Sequence, residues 1–254
     1  MTDQDVTRIF AVGDLHGNLA WTKRVIQKAV EAGVSTILQL GDFGYWPHTP
    51  GGARFLETVS KELEDADVTL FFIDGNHENF DELDRIGALT AEAPFEIAPR
   101  ITYLPRGLRW RWSGLDFLAM GGAYSIDKPR RIVGASWWRQ EFIAQRDIDR
   151  ALSGGEVDVL VAHDAPASVV LPFPIEENPQ TQANRQALDV VVKAVKPRLC
   201  LQAHYHRAYE LEIEWREGYL SKVIALDCDG ASRDELNMKA IDLIPIFLDK
   251  VAER

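Results

Sequence analysis

Hydrophobic and polar positions along the first third of the chain form blocks that predict a parallel sheet. The short apolar runs typical of buried strands are residues 9–12, 36–40 and 68–73. The stretches typical of helices are residues 19–32, 53–64 and 80–86. Because strands and helices alternate, we expect the strands to lie side by side and parallel, with helices packed on the sheet.

The pattern changes in the middle of the chain and then returns. Between residues 101 and 121, short strands with turns at Arg106-Gly107 and Ser113-Gly114 predict antiparallel hairpins that extend or face the first sheet. The elements expected beyond them are helices at 139–152 and 181–195 and strands at 157–162, 198–203, 209–215 and 220–227. Four prolines make 165–180 an expected irregular loop. The expected fold class is α/β, with residues 1–254 in a single domain.

Composition and charge narrow the class of protein. With 254 residues, of which 46% are hydrophobic, the chain is long enough to bury a large core. A formal charge of -11 disfavours nonspecific binding to polyanions, so we expect no stable nucleic-acid complex and no membrane partner. Cys200 and Cys228 are expected to be free thiols in a reducing compartment. Without a spanning apolar run or a signal-like N-terminus, the expected location is the cytoplasm, and the oligomeric state stays open.

Side chains suited to metal binding or catalysis follow strand after strand. They are Asp14 and His16 in GDLHG, Asp42 in GDFG, Asp74, Asn76, His77 and Glu78 in DGNHE, His163 in AHDAP, and His204 and His206 in AHYH. Five of the six histidines fall at these predicted strand ends. Because ligands bind beyond the carboxyl ends of strands in open α/β sheets, we expect one shared crevice. For a single such residue, a turn or a helix cap is the alternative.

The donor types indicate transition-metal ions. Imidazole nitrogen with carboxylate or amide oxygen, and no thiolate, suits Mn, Fe, Co, Ni or Zn. Seven of these side chains are candidate ligands: Asp14, His16, Asp42, Asn76, His163, His204 and His206. Seven ligands are too many for one ion and fit two ions that share a bridging carboxylate. We expect two divalent ions, with manganese favoured. Two such ions against two carboxylates leave a net positive charge that attracts phosphate even on an acidic protein.

The ordered series of motifs resembles the calcineurin-like metallophosphoesterase superfamily from about residue 12 to residue 207. The resemblance implies an αββα sandwich of two mixed sheets around a dinuclear centre. It assigns one ion to Asp14, His16, Asp42 and His206, and the other to Asp42, Asn76, His163 and His204. A metal-bridging hydroxide would attack phosphorus, and His77 would protonate the leaving oxygen, with Asp74 or Glu78 orienting its imidazole. Asn18 is either a helix cap or a phosphate contact.

Departures from the family pattern narrow the range of expected substrates. Protein phosphatases of this superfamily continue the second motif as GDYVDRG and place arginine before GNHE, whereas this chain has GDFGYWPHTP and Asp74. Their phosphate-binding arginine and aspartate are therefore missing at the matching positions. We expect a phosphodiesterase for small or cyclic nucleotides, similar to small bacterial and phage-type enzymes. A broad phosphomonoesterase, a nuclease, or an inactive binding scaffold of the same fold are the alternatives.

Positive charge and tryptophan concentrate around residues 100–150, which we expect to form a cap beside the site. Four of the seven tryptophans lie there. Aromatic planes beside arginines can hold a nucleobase by stacking, so Arg130, Arg131, Trp137 and Trp138 are predicted substrate contacts. The alternative is that the tryptophans pack a hairpin and cover a helix.

Overall fold

The computed structural model describes residues 3–176, 178–216 and 218–247. The strands are β1 (Arg8–Val12), β2 (Thr36–Gln39), β3 (Thr69–Phe72), β4 (Phe95–Ala98), β5 (Ile101–Tyr103), β6 (Arg109–Trp112), β7 (Leu115–Met120), β8 (Val159–Ala162), β9 (Leu199–Gln202), β10 (Tyr209–Glu214), β11 (Leu220–Ala225) and β12 (Met238–Asp242). The helices are α1 (Leu19–Glu31), α2 (Pro50–Asp65), α3 (Phe80–Arg85), α4 (Gln145–Leu152), α5 (Pro179–Val195), α6 (Asp234–Asn237) and α7 (Leu243–Ile246).

The strands form two six-stranded sheets with the orders β12-β1-β2-β3-β5-β4 and β10-β11-β9-β8-β7-β6. In the first sheet, β1, β2, β3 and β5 are parallel, and the edge strands β12 and β4 are antiparallel to their neighbours. In the second sheet, β11, β9, β8 and β7 are parallel between the antiparallel edges β10 and β6. Both sheets are therefore mixed, as expected, with parallel strands at their centres.

Alternating side chains place each sheet between two apolar layers. In β1, Ile9 and Ala11 point into the core shared by the two sheets, whereas Phe10 and Val12 join the core beneath the helices. That first helix-covered core includes side chains of α1, α2 and α3, and α4 and α5 cover the second sheet in the same way. The four layers run helix, sheet, sheet, helix, so the predicted αββα sandwich is confirmed.

Residues 100–150 differ from the expected cap. Strand β5 pairs with β3 and β4 instead of forming a hairpin with β6, and β6 and β7 belong to the second sheet. Trp110 and Trp112 pack against Phe117 in that hairpin, with ring centres 5.1 Å apart in each case. Apart from short connections, such as those at 104–108 and 113–114, the part of this region outside the sheets and α4 is residues 121–144. The cap is therefore smaller than predicted, because the sheets incorporate the strands on its N-terminal side.

The helix expected at 139–152 is also shorter than predicted. A 3₁₀ turn covers Arg139–Glu141, and α4 begins only at Gln145. Trp138 is buried beside Trp46, and Glu141 accepts a hydrogen bond from Ser125 at 2.5 Å. Because these contacts hold the turn against the first sheet, tertiary packing overrides the helical pattern.

No helix in the described ranges combines the length and apolar character needed to cross a bilayer.

Candidate metal centre

The structure brings all seven predicted metal ligands together where the carboxyl ends of the central strands meet. Asp14 and His16 follow β1, Asp42 follows β2 and Asn76 follows β3 in the first sheet. From the second sheet come His163 after β8, and His204 and His206 after β9. The centre is thus built from both halves of the sandwich, and the two sheets must pack correctly before it can form.

Asp42 lies at the middle of the cluster with its two oxygens in different roles. Its Oδ1 accepts hydrogen bonds from the backbone N–H groups of Asn76 and His77, each at 2.7 Å. Its Oδ2 lies 3.5 Å from Nε2 of His16 on one side and 3.5 Å from Nε2 of His163 on the other. The backbone therefore fixes one oxygen, and the second faces imidazoles from both sheets.

Asp14 is the second buried carboxylate of the centre. Its Oδ2 lies 3.0 Å from Nε2 of His206 and 3.9 Å from Nε2 of His16, and its Oδ1 lies 3.9 Å from Nδ1 of His163. Among the residues that the structure describes, Oδ2 has no hydrogen bond of proper geometry. A carboxylate charge in the protein interior is costly unless a neighbouring cation compensates it, which a metal ion or a protonated His206 would do at this position.

Two groups of side chains could each hold an ion. Asp14, His16 and His206 form one group, Asp14, Asp42 and His163 form the other, and the ligand atoms in each lie within 4.8 Å of one another. Asn76 adds an amide oxygen 3.2 Å from Nε2 of His163. The ring of His204 lies 5.0 Å from that of His163. This nitrogen and oxygen donor set fits divalent transition metals.

The electrostatics of the cluster favour positive charge. Burial lowers the pKa of His16 and His163, but the carboxylates of Asp42 and Asp14 outweigh it and raise the two pKa values to about 10 and about 9. The contact with Asp14 is the main cause that raises the pKa of His206 to about 11. The histidines therefore carry protons unless another cation neutralises the carboxylates, and metal ions compete with protons for the centre.

Several ligands sit on strained backbone. His16, Asp42, His204 and His206 have φ angles of 46°, 57°, 70° and 50°, in the left-handed region that non-glycine residues seldom occupy. The backbone N–H groups of Leu15 and His16 both donate to the Asp42 carbonyl, at 3.0 and 2.8 Å. These cross-links between the first two strand ends hold the strained turns in place.

Two glycines make close approach possible at the centre. A Cβ on Gly75 would lie 2.0 Å from Oδ1 of Asp42, and one on Gly41 would lie 2.3 Å from Nδ1 of His163. Gly41 also has a φ of +100°, which strains any other residue. The glycines of the GD and GNHE motifs are therefore required by the packing of the ligands themselves.

Comparison with known proteins agrees with this geometry. Residues 7–208 match the protein family described as calcineurin-like phosphoesterase. The chain belongs to this family. Its members are metal-dependent phosphoesterases, and the family implies two divalent metal ions at the Asp and His clusters described above.

Solved structures share the fold at low sequence identity. A dimetal phosphatase from Danio rerio is 14% identical with a TM-score of 0.57, over 94% of this chain and 93% of that one. The Thermus thermophilus protein TT1561 is 13% identical with a TM-score of 0.56, over 94% of this chain and 99% of that one. A search of curated proteins found no match. At these identities the likeness establishes the architecture alone.

His77 lies at the edge of the centre of this phosphoesterase. Its backbone N–H is bound to Asp42, its carbonyl accepts from Nε1 of Trp46 at 3.0 Å, and its ring lies 5.7 Å from that of His16. Within the described ranges, its ring nitrogens have no hydrogen-bond partner. Burial lowers its pKa. The imidazole is thus held beside the centre with both nitrogens available to a substrate.

Asp74 and Glu78 do not orient His77, contrary to the prediction. Asp74 accepts from Tyr103 Oη at 2.7 Å and from Nε and Nη2 of Arg106 at 2.8 and 2.5 Å. The carboxylate of Glu78 accepts the three backbone N–H groups that follow Asp42, at 2.7, 3.1 and 2.7 Å. Burial, ahead of repulsion from Asp42, raises the pKa of Glu78 to about 7. Because both carboxylates are fully engaged, they brace the loops that carry the site.

Asn18 caps α1, and the structure adds a residue that the sequence analysis missed. Oδ1 of Asn18 accepts from the backbone of Trp21, and its Nδ2 donates to Oδ2 of Asp229 at 2.8 Å. The other oxygen of Asp229 lies 2.7 Å from Nδ1 of His16. A carboxylate in this position fixes the ring orientation and tautomer of a metal-binding histidine. Asp229 follows β11, so the same strand-end reasoning applied to DCDG would have found it.

A cavity of about 350 Å³ opens onto the centre. Beyond the predicted site residues, its lining is Ile126, Asp127, Phe173, Pro174, Ile175, Glu176, Thr181, Tyr205 and Arg207. Phe173 and Tyr205 supply aromatic faces with centres 6.0 Å apart, and the Arg207 guanidinium lies 6.0 Å from the Phe173 ring centre. The sequence analysis missed this wall, because Phe173 and its neighbours belong to the proline-rich loop, which has no periodic pattern.

The predicted substrate contacts of the basic region do not line this cavity. Trp138 is 4% exposed and packs beside Trp46, and Trp137 is 7% exposed with Lys128 over its ring. The Arg131 guanidinium lies 3.0 Å from Glu141 and donates to the Asn76 carbonyl at 3.2 Å. Arg130 is exposed and also lies outside the lining. The packing alternative describes both tryptophans better than base stacking does.

Proposed function

We propose that this phosphoesterase hydrolyses phosphodiester bonds in small nucleotides, including cyclic ones. The single observation that carries the proposal is Asp42, whose Oδ1 is held by two backbone N–H groups while its Oδ2 faces His16 and His163 at 3.5 Å. Such a carboxylate can bridge two ions. The ligand sets that we propose are Asp14, His16, Asp42 and His206 for one ion and Asp42, Asn76, His163 and His204 for the other.

When bound, the two ions would supply Lewis-acid chemistry, lowering the pKa of a water molecule and neutralising charge on the phosphoryl oxygens. Manganese is our proposed native metal among the divalent ions that a donor set of imidazole and oxygen without thiolate accepts. Asp229 holds the His16 ring by its Nδ1, which leaves Nε2 directed toward Asp42 and Asp14. Since both cysteines are free thiols, we place the reaction in the reducing cytoplasm.

His77 is the proposed general acid. Its imidazole lines the cavity, and its backbone is fixed by Asp42 and Trp46, so the ring is presented to the substrate without a competing hydrogen bond. A proton from His77 would neutralise the alkoxide or ribose oxygen as it leaves phosphorus. This role needs no help from Asp74 or Glu78, which are bound elsewhere.

The charges around the cavity favour a diester over a monoester. Among the described lining residues other than histidines and proposed metal ligands, Arg207 is the basic side chain, and Asp127 and Glu176 carry carboxyl groups. The second negative charge of a monoester dianion would face these two acids with little compensation. A diester carries one charge, and its second substituent can lie against Phe173. Stacking on this ring, with Arg207 beside it, is the basis for proposing a nucleobase.

The deciding measurement compares bis(4-nitrophenyl) phosphate with 4-nitrophenyl phosphate on the manganese-loaded protein. We expect the higher kcat/KM on the diester and no turnover in the matched Asp42→Ala variant. Faster monoester turnover would overturn the diester proposal in favour of a phosphomonoesterase. Full metal occupancy without turnover on any ester would favour an inactive scaffold.

A second measurement tests the nucleobase. Phe173→Ala should raise KM for cyclic nucleotides roughly 5- to 150-fold, which corresponds to about 1 to 3 kcal/mol of stacking. KM for methyl 4-nitrophenyl phosphate, which offers no base, should stay unchanged. Phe173→Leu is the matched control, because it keeps an apolar side chain at this position and removes only the aromatic ring. If Phe173→Ala changes both classes of substrate equally, the base does not lie on this wall.

A further inference from the structure

A second cavity, of about 660 Å³, is lined by residues that do not line the cavity at the metal centre. The short segment of residues 126–128 separates the two cavities: Ile126 and Asp127 line the metal-side cavity, and Lys128 lines the second. None of the proposed metal ligands lines the second cavity. Its volume lies in the range of small-molecule binding sites. The nearness of the two cavities does not make them one site, because their linings share no residue.

The second cavity combines aromatic surface with positive charge. Trp137 and Phe142 line it, with ring centres 6.4 Å apart. Lys128 places its Nζ 4.0 Å from the Trp137 ring centre, and Arg139 and Arg146 also belong to the lining. The tryptophan that the sequence analysis assigned to a substrate base is therefore part of a different cavity.

The positive charge of this lining is only partly neutralised. Arg106 is neutralised by Asp74 at 2.5 Å. Asp147 is the acidic side chain of the lining, and its Oδ2 already accepts from the backbone of Ala144 at 2.9 Å. Arg146 lies 3.5 Å from Oδ1 of the same carboxyl group, which leaves Lys128 and Arg139 without an acidic partner among the described residues, on a protein whose formal charge is -11. We expect this local excess to attract anions.

The N-terminus of α4 adds to the positive electrostatic potential of this cavity. Ala144, Gln145 and Arg146, at its N-terminus, line the cavity beside the basic side chains. The N-terminal end of a helix carries partial positive charge and presents backbone N–H groups to an anion. The Ala144 N–H already donates to Asp147, so a phosphate at this end would meet the helix dipole and the side-chain cations, while a flat ring could lie against Phe142, which is less buried than Trp137.

We propose that the second cavity binds a nucleoside monophosphate, with its phosphate held by Lys128 and Arg139 and its base against Phe142. The ligand class follows from the two kinds of group in the lining, cationic side chains and an aromatic ring, since neither inorganic phosphate nor an uncharged nucleoside uses both. The site is independent of the metal ions and of the proposed reaction. The basic, tryptophan-containing segment within residues 100–150 would thus bind a ligand that is different from the substrate of the metal centre.

The test is calorimetric titration of the full-length, manganese-loaded protein with AMP, repeated after the metals are removed with EDTA. We expect a saturable binding event that persists without metal, and weaker binding of both adenosine and inorganic phosphate. Lys128→Ala and Arg139→Ala should each weaken AMP binding roughly tenfold, since each removes a contact to a charged group. Arg54→Ala, an exposed arginine on α2, is the matched control and should leave the affinity unchanged.

Two outcomes would overturn the proposal. AMP binding that disappears with the metals would assign the ligand to the metal centre. Binding that survives metal removal but is insensitive to Lys128→Ala and Arg139→Ala would place it elsewhere on the protein. Neither outcome depends on whether the metal centre hydrolyses diesters, so failure here and failure of the proposed function are distinguishable.

Discussion

The substitution Asp74→Asn tests whether the buried carboxylate after β3 serves the chemistry or the scaffold. Asp74 is fully buried, and its Oδ2 accepts from Nε and Nη2 of Arg106 at 2.8 and 2.5 Å. Asparagine keeps the size of the side chain but removes its charge. Arg106, which is itself buried, would then retain its ion pair with Asp147 at 3.4 Å. It would also still donate hydrogen bonds to nearby backbone carbonyls, including that of Phe142.

The expected loss of stability follows from the burial of this pair. Removing one partner of a buried ion pair costs about 3 to 5 kcal/mol, because the other charge is left uncompensated. The contacts that Arg106 retains place the expected loss near the lower end, at about 3 kcal/mol. For a chain of this size, each kcal/mol lowers Tm by roughly 2 to 4 °C. We therefore expect Tm to fall by about 6 to 12 °C.

The assay combines denaturant unfolding, thermal melting and kinetics at a temperature where the variant is folded. Because Asp74 does not touch His77, kcat should stay within about threefold of the parent value. The control is Asp116→Asn, which breaks an exposed pair with Arg111 at 3.0 Å and should cost about 1 kcal/mol or less. A Tm close to that of the parent, together with a loss of kcat of about 100-fold, would refute the scaffold role and return Asp74 to the catalytic residues.

Three further substitutions test the centre itself. Asp42→Ala should empty both metal positions, because a bridging ligand cannot be removed from one alone, and elemental analysis that finds two ions in the variant would contradict this. His77→Ala should keep its metals but lower kcat by roughly 10² to 10⁴-fold, with a smaller loss for a nitrophenolate leaving group that scarcely needs a proton; equal losses for good and poor leaving groups would exclude the acid role. Asp229→Asn should weaken metal affinity about 10- to 100-fold in calorimetric titration, since His16 loses its charged partner, and an unchanged affinity would show that its ring is held by packing alone.

The strand ends were predictable from the sequence because they depend on local pattern. A buried apolar run followed at once by Asp14 or Asp42 shows where a parallel strand stops, and every parallel strand of a sheet stops at the same edge. The same reasoning explains why His163 and His204 could be assigned to the centre although they lie in the second sheet. The edge strands β4 and β12, in contrast, were not predicted, although they are as long as β2 and β1.

What the sequence analysis missed depends on contacts between distant segments. Trp137 and Trp138 have the composition of a base-binding site, but whether a ring is exposed depends on what covers it, and Trp46, which packs on Trp138, lies 92 positions away in the chain. Phe173 lies in an irregular loop, where no periodicity shows which side chains face the cavity. The acidic groups Asp74 and Glu78 matched a catalytic pattern by position, and only their partners reveal that both are structural.

The metal centre departs from ordinary backbone preferences, and this has a consequence for stability. His16, Asp42, His204 and His206 all occupy left-handed conformations, each of which costs on the order of 1 kcal/mol or more. The total is comparable with the whole stability of a typical domain, about 5 to 15 kcal/mol. Hydrogen bonds from the first strand end to the Asp42 carbonyl offset part of this cost, and the buried apolar layers offset more. Because Asp14 and Asp42 also bring two carboxylates together in the protein interior, cations bound between them should stabilise the fold as well as promote the reaction.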